Sequence, residues 1–274
     1  MRTIKTIGVL IGVAICTAII WQLTIHQSVK IDGFNTRKLA IESKEFNLLM
    51  CDQTGKMQAN YSGDTAYGVV IISKDEENHY STFLIKKNTT EIVNFTYGNG
   101  NYTIKLYKNN GKDTKLQSIE EYKLSLRLSD ESSPFRGTSY YTNYGTELNN
   151  IISTITTNKP SEIANQAYEY VSNNIQYNDN LASKIRNEQI DIYQPNIQEI
   201  LDSKKGICLD QASLLASIVR AKGIPAKVAI GYVGGNYHAW TEILIAGEWR
   251  LYDSTLKTTY LDEKSLAYEA IKYY

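Results

Sequence analysis

The sequence predicts an α+β chain: a cysteine-bearing helix packed on an antiparallel sheet in the C-terminal half, a small all-β sandwich-like domain before it, and an N-terminal membrane segment. Three observations predict this. Short β-rich runs fill residues 46–128, apolar residues at three-to-four spacing begin after Pro160, and an uncharged apolar run opens the chain. The 274 residues carry 29 basic and 29 acidic side chains and are 42% hydrophobic, so the chain has material for a core and no net field for nucleic acid.

Arg2 and Lys5 precede Ile7 to Leu23, about 17 residues without charge, the short end of a membrane span. The small-residue pair nearest to a cleavage site, Cys16-x-Ala18, lies inside the run, which favours an uncleaved anchor over a cleaved signal; Ile15 before Cys16 argues against lipid attachment. Positive charge ahead of the span puts the remaining chain outside the cytoplasm, as a single-pass membrane protein or, if the segment is cut, a secreted one. The expected division is residues 1–28 as signal or anchor, 29–128 as the β-rich domain, 129–150 as linker, and 151–274 as the C-terminal domain.

In the β-rich domain the runs are Tyr67–Ser73, Ser81–Ile85, Ile92–Tyr97, Tyr102–Tyr107 and Tyr122–Leu128. Gly98-Asn99-Gly100-Asn101 reads as a hairpin turn that would pair its two flanking runs. His79 stands among charged residues and reads as part of a solvated turn; Cys51 reads as a small buried side chain. Ser129 to Asn150 is poor in aliphatics and rich in Ser, Thr, Asn and Gly, a linker composition.

Ser161 is a candidate N-cap for a helix whose apolar positions are Ile163, Ala167, Tyr170 and Val171. Cys208 opens a second, more apolar helix, Leu209 to Lys222, stopped by Gly223. At a helix N-terminus the unsatisfied N–H groups and the macrodipole favour a thiolate, and the Cys208 N–H faces where an oxyanion would sit. Strands are expected at Ala226–Val233, His238–Ile245 and Trp249–Asp253. Any even loop through Ala246-Gly247-Glu248 makes paired positions sum to an odd number such as 493, which puts His238, Trp240, Asp253 and Thr255 on one face. A thiol nucleophile needs a base, and the base needs a partner that fixes its tautomer; Cys208, His238 and Asp253 are the candidates. The competing reading of Cys208 is a buried structural thiol.

The blocks GICLDQASLLASIVRAKGIPAKVAIGYV and YHAWTEILIAGEWRLYDST, with YEYVSNNIQY upstream, resemble the core of the transglutaminase-like superfamily of papain-fold cysteine enzymes, over roughly Ser161 to Thr255. The resemblance implies a papain-like core with Cys208 as nucleophile, His238 as general acid/base and Asp253 as its orienting partner. It further implies an acyl-enzyme on a peptide or carboxamide carbonyl, with hydrolysis favoured over cross-linking. Membrane-anchored bacterial members are the expected relatives. A protein or peptide substrate, envelope-associated or surface-bound, is the expected partner besides the membrane.

Papain-type proteases carry a Gln before the nucleophile as an oxyanion donor; here Leu201 to Lys205 holds none, so the second donor is unassigned. Tyr193 and Trp240 read as packing aromatics, and Glu242 stays outside the catalytic set. Three scattered Cys and three His form no zinc cage, no nucleotide loop is present, and no cofactor or metal is expected. At most Cys51 would pair with Cys208. The alternative from another class is a non-catalytic cell-surface binding module that keeps the fold.

Overall fold

The computed structural model describes residues 40–51, 54–75, 79–109, 116–190, 192–261 and 267–274. The expected membrane segment, with Cys16, lies outside the described residues. Among those described, no helix is long and apolar enough to cross a membrane.

Strands β1 (Ala40–Glu42), β2 (Phe46–Cys51), β3 (Lys56–Tyr61), β4 (Tyr67–Lys74), β5 (Tyr80–Lys86), β6 (Thr90–Asn94), β7 (Gly100–Asn109) and β8 (Leu116–Leu126) form two four-stranded antiparallel sheets. Their orders are β1-β2-β3-β6 and β5-β4-β7-β8. Alternate residues of each strand enter the shared core: Phe46, Leu48 and Met50 from β2, Met57, Ala59 and Tyr61 from β3, Val70 and Ile72 from β4, Ile104 and Leu106 from β7. The sheets meet closely at Gly68, where an added Cβ would stand 2.4 Å from the Phe46 ring.

The expected hairpin across Gly98 to Asn101 does not form. β6 pairs with β3 in one sheet and β7 with β4 and β8 in the other, so the chain crosses between sheets there. The crossing is fixed by Asn99, whose side-chain amide donates to the Leu128 carbonyl at 3.0 Å, and by Tyr102 Oη donating to the Gly98 carbonyl at 2.6 Å. Glycine and asparagine mark a change of direction; which strand receives the chain is decided by the distant apolar faces.

Residues 129–150 hold a short 3-10 turn, Ser133–Phe135, and the start of α1 (Thr146–Thr154). Aromatics anchor them: Tyr140 meets the Phe83 ring edge-on at 5.3 Å and packs on Tyr141 at 4.8 Å.

After α1 come α2 (Pro160–Asn174), β9 (Gln176–Tyr177), α3 (Asp179–Arg186), α4 (Ile197–Ser203), β10 (Lys205–Gly206), α5 (Cys208–Ala221), β11 (Ala226–Val233), β12 (Asn236–Ile245), β13 (Glu248–Asp253), β14 (Thr258–Thr259) and β15 (Tyr268–Tyr273). α2 begins two residues earlier than an N-cap at Ser161 implies: Lys159 is the cap and Pro160, whose fixed φ and missing N–H suit a first helical position, opens the helix. β9 and β10 form a parallel two-residue ladder, and β11 to β15 an antiparallel sheet of order β14-β13-β12-β11-β15. α5 is buried from Cys208 through Arg220, packed between that sheet and α2. It ends at Gly223, φ +79°, the left-handed stop residue.

The β11–β12 and β12–β13 hairpins use two-residue loops with positive φ at both positions. These are Gly234-Gly235 (+54° and +81°) and Ala246-Gly247 (+54° and +85°), the twist that matches right-handed strands. The second loop sets Thr241 opposite Tyr252 and Ile245 opposite Glu248, pairs summing to 493. At the far edge β15 lies so close to β11 that a Cβ on Gly231 would stand 1.9 Å from the Glu269 carbonyl oxygen.

One cation ties α5, the 129–150 segment and the last residue together. The buried Arg220 guanidinium donates to the Ala226 carbonyl (2.6 Å), Ser139 Oγ (2.6 Å), Thr142 Oγ1 (2.9 Å) and the Tyr274 carbonyl (2.9 Å). Sandwich and sheet also meet directly, Ser81 Oγ donating to the Tyr273 carbonyl at 2.9 Å and Tyr274 Oη to the Thr82 carbonyl at 3.1 Å.

Candidate active site

Cys208 is the first residue of α5, and local chemistry sets that start. Ile207 is extended (φ −82°, ψ −179°), and Asp210, three positions on, accepts the Ile207 N–H at 2.8 Å, half of a capping box. Gly206 must be glycine because a Cβ there would fall 2.6 Å from Asp210 Cβ. The first-turn N–H groups have no acceptor within the helix, so the Cys208 end of α5 is the positive end of the dipole. Cys208 carries a free thiol and is 3% exposed; no bridge to Cys51 is present.

His238 enters from β12 and Asp253 ends β13. The 493 register and the sheet twist bring them together: His238 Nε2 and Asp253 Oδ2 are 2.7 Å apart, with the His238 side chain 11% exposed and Asp253 1%. Cys208 lies close enough to the same ring that its hydrogen bonding and its charge both raise the His238 pKa. Asp253 is held from all sides. Oδ1 accepts the Thr255 and Leu256 N–H groups, both at 3.0 Å, and Oδ2 accepts Tyr268 Oη at 2.9 Å besides His238.

Burial pushes the His238 imidazolium toward losing its proton, but the hydrogen bonds and charges of Asp253 and Cys208 outweigh it and raise the pKa to about 10. The shift favours the protonated ring. Tyr177 of β9 and Tyr237 of β12 both feel the Cys208 charge; burial and that charge push both phenols up, Tyr177 to about 12.

Asp210 is the functional-site neighbour that sequence reading missed, and its signal was an Asp three residues after the helix cap. It is fully buried, and burial lifts its carboxyl to about 6 although Tyr193 Oη donates to Oδ1 at 2.7 Å. Tyr193 is thus more than a packing aromatic: it braces Asp210 behind Cys208. Trp240 is buried and meets Tyr268 edge-on at 5.1 Å. Glu242 is drawn away from His238 toward Lys227 Nζ, 3.7 Å distant, and Tyr273 Oη, at 3.4 Å. Among the described residues no group of three or more His, Cys, Asp or Glu side chains converges to hold a metal ion.

Residues 148–254 match the family model described as the transglutaminase-like superfamily. No curated protein matches the chain in sequence. Several solved structures are similar, three of them as follows. A crystal structure of a TGase is 18% identical, with 40% of this chain aligned to 31% of that one and a TM-score of 0.34. A proposed cysteine protease from Cytophaga hutchinsonii is 16% identical, covering 86% of this chain and 73% of its own, TM-score 0.44. A proposed protease from Parabacteroides distasonis is 10% identical, covering 77% and 64%, TM-score 0.28. The chain thus spans about a third of the length of the first.

Proposed function

We propose, with a transglutaminase-like core at residues 148–254 as the premise, that this chain is a thiol enzyme acting on peptide or carboxamide bonds through an acyl-enzyme on Cys208. The observation that carries the reading is the convergence of three side chains from three elements: Cys208 and Asp253 both act on the His238 ring, Asp253 at Nε2 from 2.7 Å. A binding role requires none of the three.

The geometry supports the following course. The Cys208 thiolate, paired with the His238 imidazolium, attacks the carbonyl carbon. The oxyanion forms against the N–H groups that open α5. The imidazolium then gives its proton to the departing amine or ammonia, which leaves as the C–N bond breaks and the thioester remains. The neutral imidazole next takes a proton from water, and the resulting hydroxide attacks the thioester to release the carboxylic acid and regenerate the thiolate pair. A primary amine in place of water would give a cross-link. Hydrolysis is the favoured outcome.

The same reading puts the domains outside the cytoplasm, on envelope-associated or surface peptides and proteins. Support for that is the apolar run Ile7 to Leu23 after Arg2 and Lys5.

The test is alkylation of the full chain by limiting iodoacetamide over a pH series, read residue by residue by mass spectrometry with Cys51 as internal control. Cys208 should react well below the free-thiol pKa of about 8.5, and Cys208→Ala should abolish turnover of a glutamine-containing peptide with the fold unchanged. Ordinary titration of Cys208, alike with Cys51, sinks the enzyme reading. Product analysis with and without an added primary amine separates hydrolysis from cross-linking.

A further inference from the structure

Tyr268 opens β15, beyond the residues that match the family model. β15 is the sheet edge, with β11 and β12 between it and β13. At about 4.8 Å per strand, on the order of 14 Å of backbone separates Tyr268 from Asp253. The side chain closes that gap by lying across Trp240, ring centroids 5.1 Å apart, and its Oη reaches Asp253 Oδ2 at 2.9 Å. The oxygen it reaches is the one that accepts His238 Nε2 at 2.7 Å.

We infer that Tyr268 is a positioning residue for the Cys208–His238–Asp253 site: its O–H pins the Asp253 carboxylate and shares its charge with His238, so β15 completes the site. The inference rests on the thiol-enzyme reading above. The physical argument has two parts. With Oδ1 occupied by two backbone N–H groups, Tyr268 removes the remaining rotation of the carboxylate, leaving His238 one direction of approach and one tautomer. An oxygen that accepts two donors also gives each less of its charge, so Tyr268 holds His238 below the basicity that Asp253 alone would confer. Burial pushes the Tyr268 phenol up, which keeps it a donor throughout the working range. The titratable groups facing His238 are Cys208 from α5, Asp253 from β13 and, through Asp253, Tyr268; Tyr237 of β12 and Tyr177 of β9 face the Cys208 charge.

The test is Tyr268→Phe in the full chain, which deletes the hydroxyl and keeps the ring on Trp240. The chain has three histidines, so histidine-labelled protein gives a short NMR spectrum in which His238→Gln assigns the signal. The His238 titration midpoint should rise by roughly 0.5–1 pH unit, and the step in Cys208 alkylation that follows His238 should move with it. Tyr273→Phe, on the same strand, should leave the midpoint in place. A folded Tyr268→Phe protein whose His238 midpoint is unmoved overturns the inference, since a merely structural tyrosine changes stability and not this midpoint. If Cys208 alkylates as an ordinary thiol while the midpoint still moves, the positioning by Tyr268 stands and the enzyme reading alone falls.

Discussion

Arg220→Met probes the joint between α5 and the rest of the molecule. The wild-type guanidinium makes four contacts of 2.6–2.9 Å, to the Ser139 and Thr142 hydroxyls and to the main-chain oxygens of Ala226 and Tyr274, with no side-chain carboxylate among them. Hydrogen bonds from a charged donor contribute about 1.5–3 kcal/mol each, but burying the cation costs several kcal/mol, and methionine removes both terms. Part of the loss is also recovered locally. The Tyr274 carbonyl keeps the Val228 N–H at 2.9 Å, and Ser139 Oγ and Thr142 Oγ1 keep each other at 3.1 Å. A net destabilisation of about 2–4 kcal/mol remains, or roughly 1 M in urea midpoint for a slope of about 3 kcal/mol/M. Arg220→Lys should be no better, because a tetrahedral ammonium cannot span four divergent acceptors and leaves a buried charge under-satisfied. Equilibrium urea unfolding is read by tryptophan fluorescence, since Trp240 and Trp249 both sit in the five-stranded sheet. A Lys variant as stable as wild type, or a Met variant within about 0.5 kcal/mol of it, refutes the reasoning.

Two further outcomes are expected. Burial lifts the Asp210 carboxyl from 3.8 to about 6, so between those values the folded chain holds a proton that the unfolded chain has released. Stability therefore falls as pH rises through that window. Asp210→Asn should flatten the change of urea midpoint between pH 4 and 6, and an unchanged slope would assign it to other groups. Ala246 holds φ +54° in its loop, a strained conformation for alanine that asparagine tolerates. Ala246→Asn should therefore raise stability by about 0.5–1 kcal/mol by thermal or urea unfolding, and a loss would mean the loop is not the tight turn described.

The C-terminal sheet was legible because its information is local. Loop parity between Ile245 and Glu248 set the register, and apolar spacing with Gly223 set α5. The sandwich was read less fully. Ala40–Glu42, Phe46–Cys51 and Lys56–Tyr61 were not singled out, since Asn47, Gln58 and Asn60 break up the β-branched and aromatic signal. The Gly98 to Asn101 crossing was misread as a hairpin for the reason that a turn residue does not name its partner strand. In the candidate site, the three side chains announced by motif converge, and Asp210 is marked only by its place three residues after the cap, whereas Tyr193, Tyr268 and Arg220 act through contacts 15 to 81 positions apart and nothing in their neighbourhoods marks them.

The clasp of β15 between β11 and the sandwich bears on how this protein can be dissected. A fragment cut at residue 254, where the family match stops, would bare the hydrogen-bonding edge of β11 and uncover Trp240. An unpaired, apolar-faced strand is a template for self-association. Such a fragment would precipitate or dimerise edge to edge with all three candidate catalytic side chains present in its sequence. The smallest soluble unit is accordingly set by the last strand and not by the motif.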